Sequence, residues 1–103
     1  RQLALDRRLM GERLSNEVRK LTANINAARD LFAITDNELT QANRMTEAER
    51  KRFNAGASDF FLVNIREERG ADAEVRNLET RGRYFNSLTD LQAISLDLDA
   101  LGL

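Results

Sequence analysis

No proline interrupts this chain of 103 residues, so the residue that most reliably breaks a helix is missing throughout. Only one stretch carries a clear stop followed by a restart: residues 54–61, Asn-Ala-Gly-Ala-Ser-Asp-Phe-Phe. Gly56 can take the left-handed conformation that closes a helix at little steric cost. Ser58 and Asp59 are good N-cap types, and an acid there suits the positive end of a new helix dipole. The chain therefore reads as two long helices folded back on each other, over residues 3–54 and 59–101, with residues 55–58 as the tip turn. The expected fold class is all-α: one domain, a long antiparallel, coiled-coil-like helical hairpin.

Apolar spacing supports both arms. Residues 1–13 carry Leu3, Leu5, Leu9 and Met10, but Gly11 costs roughly 1 kcal/mol against alanine in a helix. From Leu14 the pattern sharpens. Leu14, Val18, Leu21, Ile25, Ala28 and Phe32 alternate steps of four and three, the a/d seam of a coiled coil. The seam continues less cleanly through Leu39 and Ala42, while Leu31, Ile34 and Met45 form a second line beside it. Two lines imply a helix with more than one neighbour. Phe53 closes this helix, which at ~1.5 Å per residue is on the order of 75 Å long, longer than a small globular domain is wide.

The second helix opens on Phe60, Phe61, Leu62, Val63 and Ile65. Consecutive apolar side chains point around most of a helix circumference, so this turn needs cover on at least two sides. Residues 66–74 are the weakest part, with Gly70 inside; a break at Gly70 is the rival reading. The seam then resumes with Val75, Leu78, Phe85, Leu88, Leu91, Ile94 or Ser95, Leu98 and Leu101, and Gly102 is the expected end cap. Glu47 with Lys51, and Glu79 with Arg83, are spaced for favourable i,i+4 pairs. A hairpin of two helices leaves much apolar surface wet. Oligomerisation, or packing against the rest of a parent chain, is therefore expected, and an isolated copy is expected to pair with itself as a four-helix bundle.

Composition narrows the function. Hydrophobic residues make up 42% and charged residues 32%, with 6% aromatic and no Cys, His or Trp, a mixture close to that of long helices. A formal net charge of −1 gives no bulk attraction to nucleic acid or an anionic membrane. Arg50, Lys51 and Arg52 form a mild basic cluster interrupted by Glu47 and Glu49, a poor fit to a nucleic-acid stacking platform. Missing cysteine removes disulfides and thiolate chemistry, and missing histidine removes the commonest base near neutral pH. The 17 acids show no calcium-loop, phosphate-loop or nucleophile-elbow spacing. Asp97 and Asp99 fall on different helix faces, and Glu67 and Glu68 read as a solvated face. The chain is expected to be no enzyme and to need no cofactor or metal. No apolar run approaches the ~18 residues of a spanning helix. With arginine at position 1 and no signal peptide, the sequence reads as a piece of a longer protein.

Residues 52–63, Arg-Phe-Asn-Ala-Gly-Ala-Ser-Asp-Phe-Phe-Leu-Val, resemble the C-terminal repeat of TolC-like outer-membrane efflux proteins. There, a helix end runs into a glycine, a small or hydroxyl residue, and an apolar turn that starts the return helix. Tyr84-Phe85-Asn86-Ser87, Leu91-Gln92-Ala93 and Ala100-Leu101-Gly102 look like that family's C-terminal ending. The resemblance covers most of the chain, most strongly residues 50–67 and 78–102. It implies a segment of a homotrimer whose long helices form a hollow periplasmic α-barrel continuous with an outer-membrane β-barrel. It implies also that the hairpin tip docks the periplasmic adaptor of an efflux pump or type I secretion system, and through it an inner-membrane pump. Gly56, Ala57, Ser58 and Asp59 match the docking turn, and Phe60, Phe61 and Val63 the apolar start of the return helix.

One departure stands out. Entrance-lining acids of the family fall at positions that match Leu62 and Ile65 here, so no acidic gate ring is carried over. A different class of protein also fits a long hairpin: a cytoplasmic coiled-coil scaffold or signalling hairpin, with the tip as an ordinary corner. A signal sequence and an earlier copy of the hairpin upstream of Arg1 would favour the channel; a kinase, receptor or DNA-binding domain would favour the scaffold.

Overall fold

Helix α1 spans Gln2–Asn54 and α2 spans Phe60–Ala100 in a computed structural model that describes residues 2–102. The two lie antiparallel as a rod of 82 × 16 × 14 Å, with no strand among the described residues. The all-α hairpin is thus the fold, and neither arm is broken. Without proline, glycine alone could have interrupted α2, and Gly70 does not. It is buried against α1, where an added Cβ would lie 3.7 Å from Thr46 Oγ1 and 3.9 Å from Asn43 Oδ1. That is ordinary contact distance. Gly70→Ala is therefore expected to raise the stability of the hairpin by up to about 1 kcal/mol through helix propensity, read as a higher thermal midpoint.

The contact seam keeps strict heptad steps over most of the rod. In α1 it follows the apolar line from Leu14 to Phe32 and continues through Thr35, Leu39, Ala42, Thr46 and Glu49. In α2 it begins at Val63 and Arg66 and runs through Gly70, Ala73, Asn77, Thr80 and Tyr84 to Leu91, Ile94 and Leu98. The expected α2 seam needs correction here. Val75, Leu78 and Phe85 face outward, each about half exposed, because the residues closest to α1 at that level are small or polar.

The seam accordingly has two characters. Near the chain ends it is aliphatic and aromatic, with Phe32 and Tyr84 rings 6.1 Å apart. There the Arg7 guanidinium donates to the Leu101 carbonyl at 2.9 Å, and Gly102 takes φ +72° at the end of α2. Towards the tip the seam is thin and polar. Thr35 Oγ1 and Thr80 Oγ1 lie 2.7 Å apart, and Asn77 Nδ2 donates to Thr35 Oγ1 at 3.3 Å. Backbone carbonyls of Phe32 and Asn77 accept from the two hydroxyls when these are free to donate. The Thr46 hydroxyl reaches both the Ala42 carbonyl and, across the seam, that of Arg66. Sliding one helix by a turn would leave these buried groups unpaired, so the layer fixes register.

The buried apolar set among the described residues is only Ile25, Val63 and Ala73. Charges add exposed pairs: Arg50 with Glu47 at 3.7 Å and with Glu67 at 2.9 Å, and Arg76 with Glu38 at 3.7 Å. Glu47 thus turns to Arg50 rather than Lys51, and Glu79 forms no ion pair among the described residues. Glu47 is therefore taken by an i,i+3 partner on its own helix, and that partner also reaches across the seam to Glu67.

Candidate functional site at the hairpin tip

The tip is built by two backbone motifs that meet. Ala57 N donates to Arg52 O at 2.8 Å, and Gly56 N to Phe53 O at 3.0 Å. Together they make the Schellman end of α1. Gly56 sits at φ +77° with nothing within 4 Å of an added Cβ, so glycine is required there by conformation and not by space. Asp59 caps α2: its Oδ1 accepts from Leu62 N at 2.8 Å. Of the two N-cap candidates, Asp59 takes the role. Ser58 is half-buried, and its Oγ is enclosed without a hydrogen-bond partner.

These caps leave the turn self-supporting and its apolar residues unused. Phe60 is 65% exposed and Phe61 71%. Phe60 leans on Phe53, with ring centroids 6.4 Å apart, while Phe61 has no aromatic neighbour among the described residues. Gly56, Ala57 and Asp59 are exposed beside them. Six of the seven residues matched to a docking turn therefore share one end of the rod. Val63 differs: it is buried in the seam and holds the helices together beneath the surface. Leu62 is exposed and Ile65 half-buried, so the positions without acids present apolar side chains.

Glu49, which in the sequence only interrupts a basic cluster, is buried at this end. It is 5% exposed, with its carboxylate 3.5 Å from Arg52 Nη1 and 3.7 Å from Arg66 Nε, and one of its oxygens has no hydrogen-bond partner. Arg52 also donates to the Ala57 carbonyl at 3.2 Å, linking the turn to the buried acid. A signal existed: continuing the steps past Ala42 reaches Thr46 and Glu49. Nearby, the hydrogen bond that Arg50 Nη2 gives to Glu67 Oε1 raises the Arg50 pKa above its ordinary value.

Nothing at the tip assembles reactive groups. No cluster of three or more Asp, Glu, His or Cys able to hold a metal occurs among the described residues. Among the described residues no helix is long and apolar enough to cross a membrane. The geometry offers an exposed aromatic end on a stiff rod, a contact surface in chemical terms. No protein-family model, no characterised protein and no solved structure matches the chain.

Proposed function

We propose that the chain is a periplasmic α-helical segment of a trimeric outer-membrane channel for efflux or type I secretion, whose hairpin tip docks the periplasmic adaptor. The observation that carries this reading is the pair Phe60 and Phe61, mostly exposed at the free end of an 82 Å rod. Their turn is already closed by its own caps, so the rings are not needed to hold it together. Large aromatic side chains left in water at an exposed end are the kind that anchor a protein contact. The resemblance of residues 52–63 to an adaptor-docking turn gives that contact a partner. An unbroken heptad seam is also what a cytoplasmic scaffold hairpin would have, and this keeps the second reading alongside the first.

The test separates contact from folding. Gly56→Trp places a bulky side chain where only open space lies, and Phe60→Asp puts a charge on the apolar end. Either is expected to abolish crosslinking to the adaptor while helicity and trimerisation persist. Gly56→Ala controls for the left-handed backbone, whose strain is about 1 kcal/mol, and is expected to retain crosslinking. Unchanged crosslinking in both bulky and charged variants would remove the tip from the docking role.

A further inference from the structure

Glu49 is buried where the seam could have taken an apolar residue. It occupies the step after Thr46 on the contact face of α1 and is as buried as Thr35. A carboxylate taken out of water is costly unless its lone pairs are met, and here they are met only in part. Arg52 Nη1 stands 3.5 Å away and Arg66 Nε 3.7 Å, both beyond good hydrogen-bond length. Oε2 has no hydrogen-bond partner. A well-packed apolar side chain of similar volume would serve stability as well or better. What the acid adds is a connection.

Three parts of the tip meet at this one carboxylate. Arg52 belongs to the last turn of α1, and its Nη2 donates to the Ala57 carbonyl at 3.2 Å. Arg66 belongs to α2, and its own carbonyl accepts from the Thr46 hydroxyl of α1 at 3.1 Å. Through Arg52 the acid holds the turn, and through Arg66 it holds α2. Beyond this level Val63 is the one buried apolar side chain among the described residues, while Phe53, Phe60, Phe61 and Leu62 are exposed. The neck of the hairpin thus rests on Val63 and on charge.

We propose that Glu49, Arg52 and Arg66 form a clamp at the neck of the hairpin, with a closed and an open state. Closed, the acid stays buried and the turn is pinned to both helices. If either arginine lets go, the remaining pair no longer offsets the burial of the acid. The carboxylate then moves into water and the second arginine goes with it, so the neck opens in one step. Residues 50–62 are released, while the Thr35–Asn77–Thr80 layer keeps the arms in register. The phenylalanines are held at a fixed angle to the rod in one state and swing freely in the other. The clamp lies within a single hairpin and beneath the tip surface, so it stands or falls independently of adaptor docking.

Amide hydrogen exchange separates such a clamp from a set of independent bonds. Ala57 N is bonded to Arg52 O within the turn, and Arg66 makes no hydrogen bond to the turn among the described residues. Arg66→Gln is nonetheless expected to speed exchange at Ala57 about tenfold. Arg52→Gln is expected to do the same, and the double variant no more than either single one. Arg66→Lys keeps a cation beside the acid and is expected to stay within about threefold of wild type. Glu49→Met fills the space without charge, and in its background the glutamine substitutions are expected to leave Ala57 unchanged. Exchange at Ala73 and Thr80 is expected to be no faster in any variant, with circular dichroism checking that helicity is kept. An Ala57 rate indifferent to Arg66→Gln would overturn the proposal, as would a double variant that multiplies the single effects. So would an Arg66→Lys variant as fast as Arg66→Gln, or glutamine effects that persist alongside Glu49→Met. Exchange at Ala73 and Thr80 rising in step with Ala57 would also refute it, since the whole hairpin would then be opening.

Discussion

Asn77→Asp is expected to destabilise the hairpin by about 3 kcal/mol at neutral pH and by much less near pH 4. Asn77 is buried beside Thr35 and Thr80, and its amide nitrogen is the donor that Thr35 Oγ1 accepts. An aspartate removes that donor and puts a negative charge in a layer of hydroxyls. Burial disfavours the charged form, so the folded-state pKa of the new acid rises above its unfolded value of about 3.9. Below that value the acid is protonated in both states and can donate to Thr35 again. The penalty therefore grows as the pH rises through the folded pKa and is complete above it. Urea unfolding followed by circular dichroism at pH 7 and pH 4 measures both ends. Equal losses at the two pH values would mean that the layer is not sealed from water.

The second large effect lies at Ile25, the bulkiest of the few buried apolar side chains. Ile25→Ala is expected to lower the unfolding free energy by about 2–4 kcal/mol, transfer and cavity terms together. The informative comparison is Ile34→Ala, which deletes the same atoms from an outward-facing position. For the dilute monomer that change is expected to fall within about 1 kcal/mol of wild type. Comparable losses at both positions would show that Ile34 is packed rather than exposed in solution.

These two sites also show which parts of the fold were legible. From Leu14 to Phe32 the contact seam is written in aliphatic and aromatic residues, and the spacing locates it directly. Beyond Phe32 the same heptad continues through Leu39 and Ala42 but mostly in Thr35, Thr46, Glu49, Gly70, Ala73, Asn77 and Thr80, small or polar residues that carry little hydrophobic signal. Large apolar residues near them form the more visible lines. In α2 that line, Val75, Leu78 and Phe85, has the spacing expected of a seam but faces outward. The lesson is physical: close approach of two helices selects small side chains, so the tightest contact can be the least hydrophobic stretch. Gly70 belongs to the same contact: the helix runs through it as expected, and the rival reading of a break is excluded. The turn was legible because caps are local, although the choice of Asp59 over Ser58 as the N-cap was not. Gly56 and Asp59 need only their own neighbours, whereas Glu49 is buried by a helix that returns from far along the chain.

The strict three-and-four stepping of the seam has a consequence for shape. A straight α-helix has 3.6 residues per turn, so a seam held to 3.5 is kept in contact only by left-handed supercoiling. Two straight helices side by side would make a bar about twice as wide as thick; this rod measures 16 by 14 Å across. With a supercoil pitch of roughly 150 Å, its 82 Å length completes about half a revolution. A flank that faces left near the chain ends therefore faces right near the tip. Any neighbour that holds one flank along the whole rod must wind with it, and a rotation imposed at the tip would be felt as a change of winding at the far end.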